Sequence, residues 1–196
     1  MQYAFLQYRF WRDHFHKWFA LCIFKSGSCD QADQKQAIMA LAHHIFAELR
    51  DNHEVMFVDY LHDLGLSDHA IATSRPGPAT RSYALSFADD FGYGTENFWE
   101  AIATLSGREL CVSARNGRIL KHYIRARGLP QSEWLVLHEE LEEEHYRDAI
   151  RPVLMRYAKE PDRMDALNEC VRRGIERHVG YFDELLQEHR AVDSSR

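Results

Sequence analysis

Three residues of one segment, His138, Glu142 and His145, carry the strongest chemical signal in this 196-residue chain. They lie in WLVLHEELEEEHYRDAIRPV, residues 134–153. At about 100° per residue, steps of four and three put the three side chains within about 60° of one helical face. Trp134, Leu135, Leu141, Ala149 and Val153 share that face, so two imidazoles and a carboxylate are aimed into a core. Glu139, Glu140, Glu143, Glu144, Arg147 and Asp148 mostly cover the rest of the helix. Ionisable groups without partners are costly to bury. A divalent metal compensates them, because neutral imidazole and carboxylate are its ordinary ligands. The other reading is a polar core network, in which Glu142 bridges its two histidines or pairs with an arginine. The choice turns on whether other helices supply further ligands.

Those helices follow from composition and periodicity. Apolar residues make up 45% of the chain and charged residues 28%, an ordinary globular profile for one domain. The net charge of −6 argues against nucleic acid or an anionic membrane as partner. No run of 18 apolar residues spans a bilayer, and MQYAFLQYRFWRDHF does not read as a signal peptide, so the expected location is the cytoplasm. Cys22, Cys29, Cys111 and Cys170 form no C-x2-C pair and suggest neither a zinc site nor a disulfide framework.

Helical periodicity dominates. Residues 1–24 carry an aromatic stripe at Phe5, Tyr8, Trp11, Phe15, Trp18, Phe19 and Ile23, a core-facing helix and a candidate homodimer face. KSGSCD, residues 25–30, breaks it, and Asp30 or Asp33 caps the next helix. Residues 33–64 read as one long helix with Ala42, Ile45, Phe46, Leu49, His53, Phe57, Tyr60, Leu61 and Leu64 inward. Glu48 is the nearest upstream carboxylate to His53, yet a regular helix holds the two about 140° apart. A π-bulge around Arg50–Asn52 would align them, and such bulges gather at functional sites; otherwise Glu48 is a surface residue.

SRPGPAT within residues 66–80 is the clearest loop, and a shorter helix follows near Tyr83–Phe91. Thr95 is the candidate cap for a helix over 96–127, with a possible kink at Ser106–Gly107. Its stripe is Ile102, Leu105, Glu109, Val112, Asn116, Ile119 and Tyr123. Glu109 is a carboxylate in an apolar seam, either a ligand or the partner of Arg108, Arg115 or Arg12. Pro152 kinks or restarts the helix of residues 134–153. A last helix over 163–189 turns Leu167, Val171, Ile175, His178, Phe182 and Leu186 inward, and His178 is a core histidine or a member of the metal's surroundings.

Three helices therefore supply three imidazoles and up to three carboxylates. Helical bundles build two-iron and two-manganese carboxylate sites from this inventory. With HEVMFVDYLHDLGL, GRELCVSARNGRILKHYIRARGL and LVLHEELEEEHYRDA in this order, the chain resembles the heme-oxygenase-like di-iron oxidases, within the wider heme-oxygenase/thiaminase II-like fold. The resemblance covers roughly residues 35–160. That family places Glu and His on one core helix, Glu on the next, and His-x3-Asp/Glu-x2-His on a third. His53, Glu109, His138, Glu142 and His145 match these positions. Glu48 stands for the first Glu, although the family spaces it further from the His.

The resemblance implies an all-α, single-domain heme-oxygenase-like bundle of about seven helices over residues 1–190, with residues 191–196 as a frayed tail. Two irons, or manganese, would be bound by Glu48, His53, Glu109, His138, Glu142 and His145. O2 would then oxidise a small amino-acid-like or fatty-acid-like substrate by N-oxygenation, C–C cleavage or desaturation. Electrons would come from an external donor or the substrate. No Gly-rich nucleotide fingerprint is present, so no NAD or flavin site is expected. Two rivals share the fold: a metal-free thiaminase II-like hydrolase with Cys111 as nucleophile, and a heme-binding protein using His14 or His16.

Overall fold

Apolar residues recurring at helical spacing fold into helices throughout the described part of the chain, and no strand occurs there. The computed structural model describes residues 1–27, 32–89, 91, 94, 97–129, 131–159 and 161–194. The side chains of 140–145, 148, 149, 153 and 192–194 lie outside that description. Seven helical runs can be traced, several of them broken. The first is α1 (Gln2–Arg12) with α2 (Phe15–Phe24), and the second is α3 (Ala32–Arg50) with α4 (His53–Asp63). Then come α5 (Asp68–Thr73), α6 (Pro78–Ala88) and α7 (Phe98–Ile119). The sixth run is α8 (Glu133–Glu144), a π-helical stretch (His145–Ile150) and α9 (Arg151–Tyr157), and the seventh is α10 (Pro161–Ser194). Among the described residues, no helix is long and apolar enough to cross a membrane.

The aromatic stripe of residues 1–24 is divided by a turn at Asp13–His14. Phe5, Tyr8 and Trp11 are buried where α1 meets α4, α6 and α10. Phe15, Trp18 and Phe19 are buried on α2, which packs on α3, α6 and α7. Residues 66–80 are more ordered than their composition predicts. The Ser67 hydroxyl accepts the Ala70 N–H and starts α5, and Pro78 occupies the first turn of α6, where its missing N–H costs nothing. Thr95 and Asp30 lie outside the described residues. The cap of α7 is Asn97, whose side chain accepts from the Trp99 and Glu100 N–H groups while Glu100 accepts from the Asn97 N–H.

Helix α7 is the spine of the bundle and packs on α8, α10 and the π-helical stretch. No kink occurs at Ser106–Gly107. Instead, a Cβ added to Gly107 would lie 2.1 Å from the Val171 carbonyl oxygen, and one on Gly174 would lie 2.0 Å from that of Thr104. The two glycines let α7 and α10 cross backbone to backbone. This close crossing fixes the rotation of α10 so that Leu167, Cys170, His178, Tyr181 and Leu185 are buried. Ile175 and Leu186, expected inward, are turned to solvent.

Gly107→Ala and Gly174→Ala should each destabilise the fold by about 2–3 kcal/mol, because overpacking pushes two helices apart. Gly180→Ala, where an added Cβ meets nothing within 4 Å, should stabilise by about 0.5–1 kcal/mol. Urea midpoints of the three variants measure the contrast.

Candidate metal centre

The run from α3 to α4 is interrupted by a two-residue turn, Asp51–Asn52. Asn52 adopts φ 55° and ψ 39°, the left-handed conformation that asparagine tolerates better than most residues. This left-handed break takes the place of the π-bulge expected at Arg50–Asn52. It also resets the helical phase. On α3 the inward face is Ala37, Leu41, His44, Ala47 and Glu48, while Phe46 and Leu49, expected inward, are 57% and 51% exposed. Glu48 and His53 meet across the break, with the carboxylate Oε1 2.8 Å from the imidazole Nδ1.

A third group reaches the same oxygen from α8: His138 Nε2 lies 3.3 Å from Glu48 Oε1. His138 Nδ1 lies 2.9 Å from the Trp134 carbonyl, which only accepts, so that nitrogen carries the proton. When neutral, His138 therefore turns the Nε2 lone pair toward the carboxylate. Two acceptors face each other, and a cation between them relieves the repulsion. Glu48, His53 and His138 are all buried, and each offers a ligand atom within 4.8 Å of the others. Burial works to raise the Glu48 pKa, but the hydrogen bonds that His138, in its protonated form, and His53 donate to the ionised carboxylate outweigh it and hold the carboxyl well below its usual range. Arg12 stands 3.6 Å from the second Glu48 oxygen.

Glu109 comes in from α7 and is also buried. It shares a water-sized cavity of about 20 Å3 with Glu48, His138, Arg12 and Arg108. Its carboxylate accepts from Arg108, which also donates to the Tyr8 hydroxyl and lies 3.6 Å over the Trp11 ring. Of the arginines weighed from sequence, Arg108 is the one that pairs with Glu109, while Arg12 serves Glu48. The side chains of Glu142 and His145 lie outside the described residues. The backbone around them leaves regular α-geometry at His145, where the π-helical stretch begins. Such wide turns gather at functional sites.

One residue escaped the sequence analysis. His44 is buried one turn before Glu48, its ring tilted against Phe19 with centroids 4.6 Å apart, and it lines the same cavity. The signal was the His44–Glu48 spacing of four, hidden by the assumption of one continuous helix. His178 is not in the cluster. Its Nδ1 meets the Tyr83 hydroxyl at 3.0 Å, and its Nε2 lies 3.4 Å from Arg115. Burial, reinforced by Arg115 and Arg108, pushes its pKa well below the usual value.

Neither rival chemistry finds support. Burial raises the Cys111 thiol pKa despite Arg108 and Arg115, the opposite of an activated nucleophile. His14 is exposed, and His16 is only partly buried.

A family model described as iron-containing redox enzyme matches residues 2–179, a span that holds all the candidate ligands. Among solved structures, the chain is similar to a domain of unknown function with a heme oxygenase-like fold from Shewanella denitrificans OS217. The TM-score is 0.74 at 17% identity, covering 100% of this chain and 82% of that one. That likeness establishes the fold. No curated protein matches the chain.

Asn52→Val should cost about 1–2 kcal/mol and weaken metal binding by moving Glu48 away from His53, whereas Asn52→Gly should preserve both. Denaturation and iron titration of the two variants test this. A second expectation concerns pH. His178 is held neutral in the fold, whereas in the unfolded chain it protonates near the ordinary histidine value of 6.5. The unfolded state then binds the extra proton, so this contribution to stability is complete above that pH and declines below it. The stability gap between wild type and His178→Gln should narrow from pH 8 to pH 5.5, by at most about 1.4 kcal/mol per pH unit.

Proposed function

The chain belongs to the iron-containing redox enzyme family, and on that premise we propose that it is a non-heme di-iron oxidase. In this reading O2 oxidises a small amino-acid-like or fatty-acid-like substrate, with electrons from an external donor or the substrate itself. The observation that carries the reading is the single Glu48 oxygen on which His53 and His138 converge, three buried groups that each offer a ligand atom within 4.8 Å of the others. Mixed oxygen and nitrogen donors without thiolate suit iron or manganese better than structural zinc. Glu48, His53 and His138 would hold one ion. Glu109, with Glu142 and His145 of the His-x3-Glu-x2-His motif, would complete a set for two. Iron held there would supply one-electron chemistry for the reaction with O2.

The protein's own groups do the rest. The Trp134 carbonyl holds His138 in the tautomer that presents Nε2 to the site. Arg12 stands beside Glu48 and Arg108 pairs with Glu109, so each candidate carboxylate ligand has a guanidinium next to it. Tyr8, Trp11, Phe15 and Trp134 wall the cavity and restrict it to water size, which keeps bulk solvent from the reacting groups.

Protein purified anaerobically and supplied with ferrous iron should hold about two irons per chain by mass spectrometry. His138→Ala and Glu109→Ala should each lower that content while circular dichroism shows an intact helical fold. Folded wild-type protein that binds no iron under these conditions would refute the reading. Iron retained in full by His138→Ala would refute the ligand assignment.

A further inference from the structure

Three of the chain's four tryptophans stand in one line with a tyrosine. Trp134 of α8 begins the line at the candidate metal centre, its ring centroid 4.7 Å from that of His138. Tyr8 of α1 follows, 6.4 Å from Trp134. Trp11 lies 6.1 Å from Tyr8, stacked within 19°. Trp18 of α2 closes the line 6.3 Å from Trp11, stacked within 26°. Trp134 and Tyr8 are 1% exposed and Trp11 not at all, whereas Trp18 is 8% exposed and meets solvent at one edge. The fourth tryptophan, Trp99, stacks on Tyr157 instead.

Packing alone does not explain how these rings are furnished. A buried indole N–H ordinarily finds an acceptor. Among the described residues, the N–H groups of Trp134, Trp11 and Trp18 have none. An indole that loses an electron becomes an acid, but with no acceptor it keeps its proton. Oxidation of each of these rings is then a movement of an electron alone. Tyr8 differs: a phenol is oxidised readily only when a base takes its proton, and its hydroxyl accepts from the Arg108 cation. Tyr8 therefore bridges Trp134 and Trp11 without holding the charge itself. The local field also slopes along the line. The Arg108 guanidinium lies 3.6 Å over Trp11 and that of Arg115 lies 5.9 Å from Trp134, while among the described residues no cation stands over the Trp18 ring. Glu109 offsets part of the Arg108 charge. A positive vacancy is least stable on the inner rings and most stable on Trp18, where solvent reaches it.

We propose that Trp134, Tyr8, Trp11 and Trp18 carry single oxidising equivalents out of the core to the surface of α2. Trp134 gives one electron to a one-electron oxidant beside it, which is thereby reduced. That electron is replaced through Tyr8 from Trp11, and then from Trp18. A soluble reductant, ascorbate or a thiol, returns it at Trp18 and is itself oxidised by one electron. No bond in the protein forms or breaks, and each indole keeps its proton. The purpose of the path rests on the iron reading: O2 reduced without substrate leaves an oxidant among buried histidines, and the path discharges it. The conduction itself needs no iron.

The full chain, purified metal-free, tests the conduction. Cys29 and Cys111 are replaced by serine, and a ruthenium tris-bipyridyl label is placed on Glu133→Cys, an exposed position next to Trp134. Cys22 and Cys170 are buried and escape the label. A laser flash with an electron-accepting quencher converts the label to ruthenium(III), a one-electron oxidant. Transient absorption then follows oxidised tryptophan and its return by ascorbate. Oxidised tryptophan should form, and its return should quicken with ascorbate concentration. Trp18→Phe and Trp11→Phe should each slow that return about tenfold or more, because the vacancy stays on rings that ascorbate does not reach. Trp99→Phe, off the line, should leave it unchanged. No oxidised tryptophan in the folded, labelled protein overturns the proposal. Equal return rates with and without Trp18→Phe do the same. If Trp11→Phe fails to fold by circular dichroism, Trp18→Phe decides, since that ring sits at the edge of the core. Every reading is taken without metal, so failure here leaves the iron titration untouched, and failure of that titration leaves the conduction standing.

Discussion

A carboxylate stays ionised in an apolar core only if opposite charge and hydrogen-bond donors surround it, and Glu48 is the residue on which that constraint falls hardest. It is 6% exposed, yet its pKa is driven down, because His138 and His53 converge on one of its oxygens, with His44 nearby. The arrangement is satisfied by protonated imidazole or by a metal cation, and the Trp134 carbonyl leaves the His138 lone pair directed at the carboxylate. Loss of Glu48 would strand two buried imidazoles. Loss of either imidazole would strand a buried charge. The cluster is therefore the point at which stability and chemistry depend on the same three side chains.

The scaffold keeps that geometry by crowding it. Helix α7 is clamped to α10 at Gly107 and Gly174, where two backbones touch. The clamp brings Arg108 over Trp11 and next to Glu109, and it brings Arg115 against Tyr8 and His178. Aromatic residues from α1, α4 and α8 fill the space beside the cluster, with Trp134 stacked 5.7 Å from Tyr60 and edge-on to Phe57 at 4.7 Å. Rings of this size hold neighbouring groups to one position, and they lower the local dielectric that makes the Glu48 pairing strong.

Charge balance runs through the same helices. The internal cations Arg12 and Arg108 each answer an internal carboxylate, so the core carries paired charge before any metal enters. Arg115 departs from that rule and faces a groove instead. Both arginines lie on one face of α7 and meet Tyr8, but the residue beside Arg108 is Glu109 and the residue beside Arg115 is Asn116.

The sequence by itself determined the helical class and the inward seam of α7, because apolar spacing is local and survives any packing, and its motifs carried the resemblance that implied the heme-oxygenase-like fold. It also put His53, Glu109 and His138 inside, where the structure has them. What it could not determine is how the second helical run breaks. A left-handed residue at Asn52 costs about 1–2 kcal/mol locally, and only tertiary contacts outweigh that cost. That one dihedral moved Phe46 and Leu49 to solvent, brought His44 and Glu48 inside, and joined Glu48 to His53. The close crossing at Gly107 and Gly174 was likewise settled by tertiary structure. It depends on which helix lies opposite, and spacing along a single chain does not encode that.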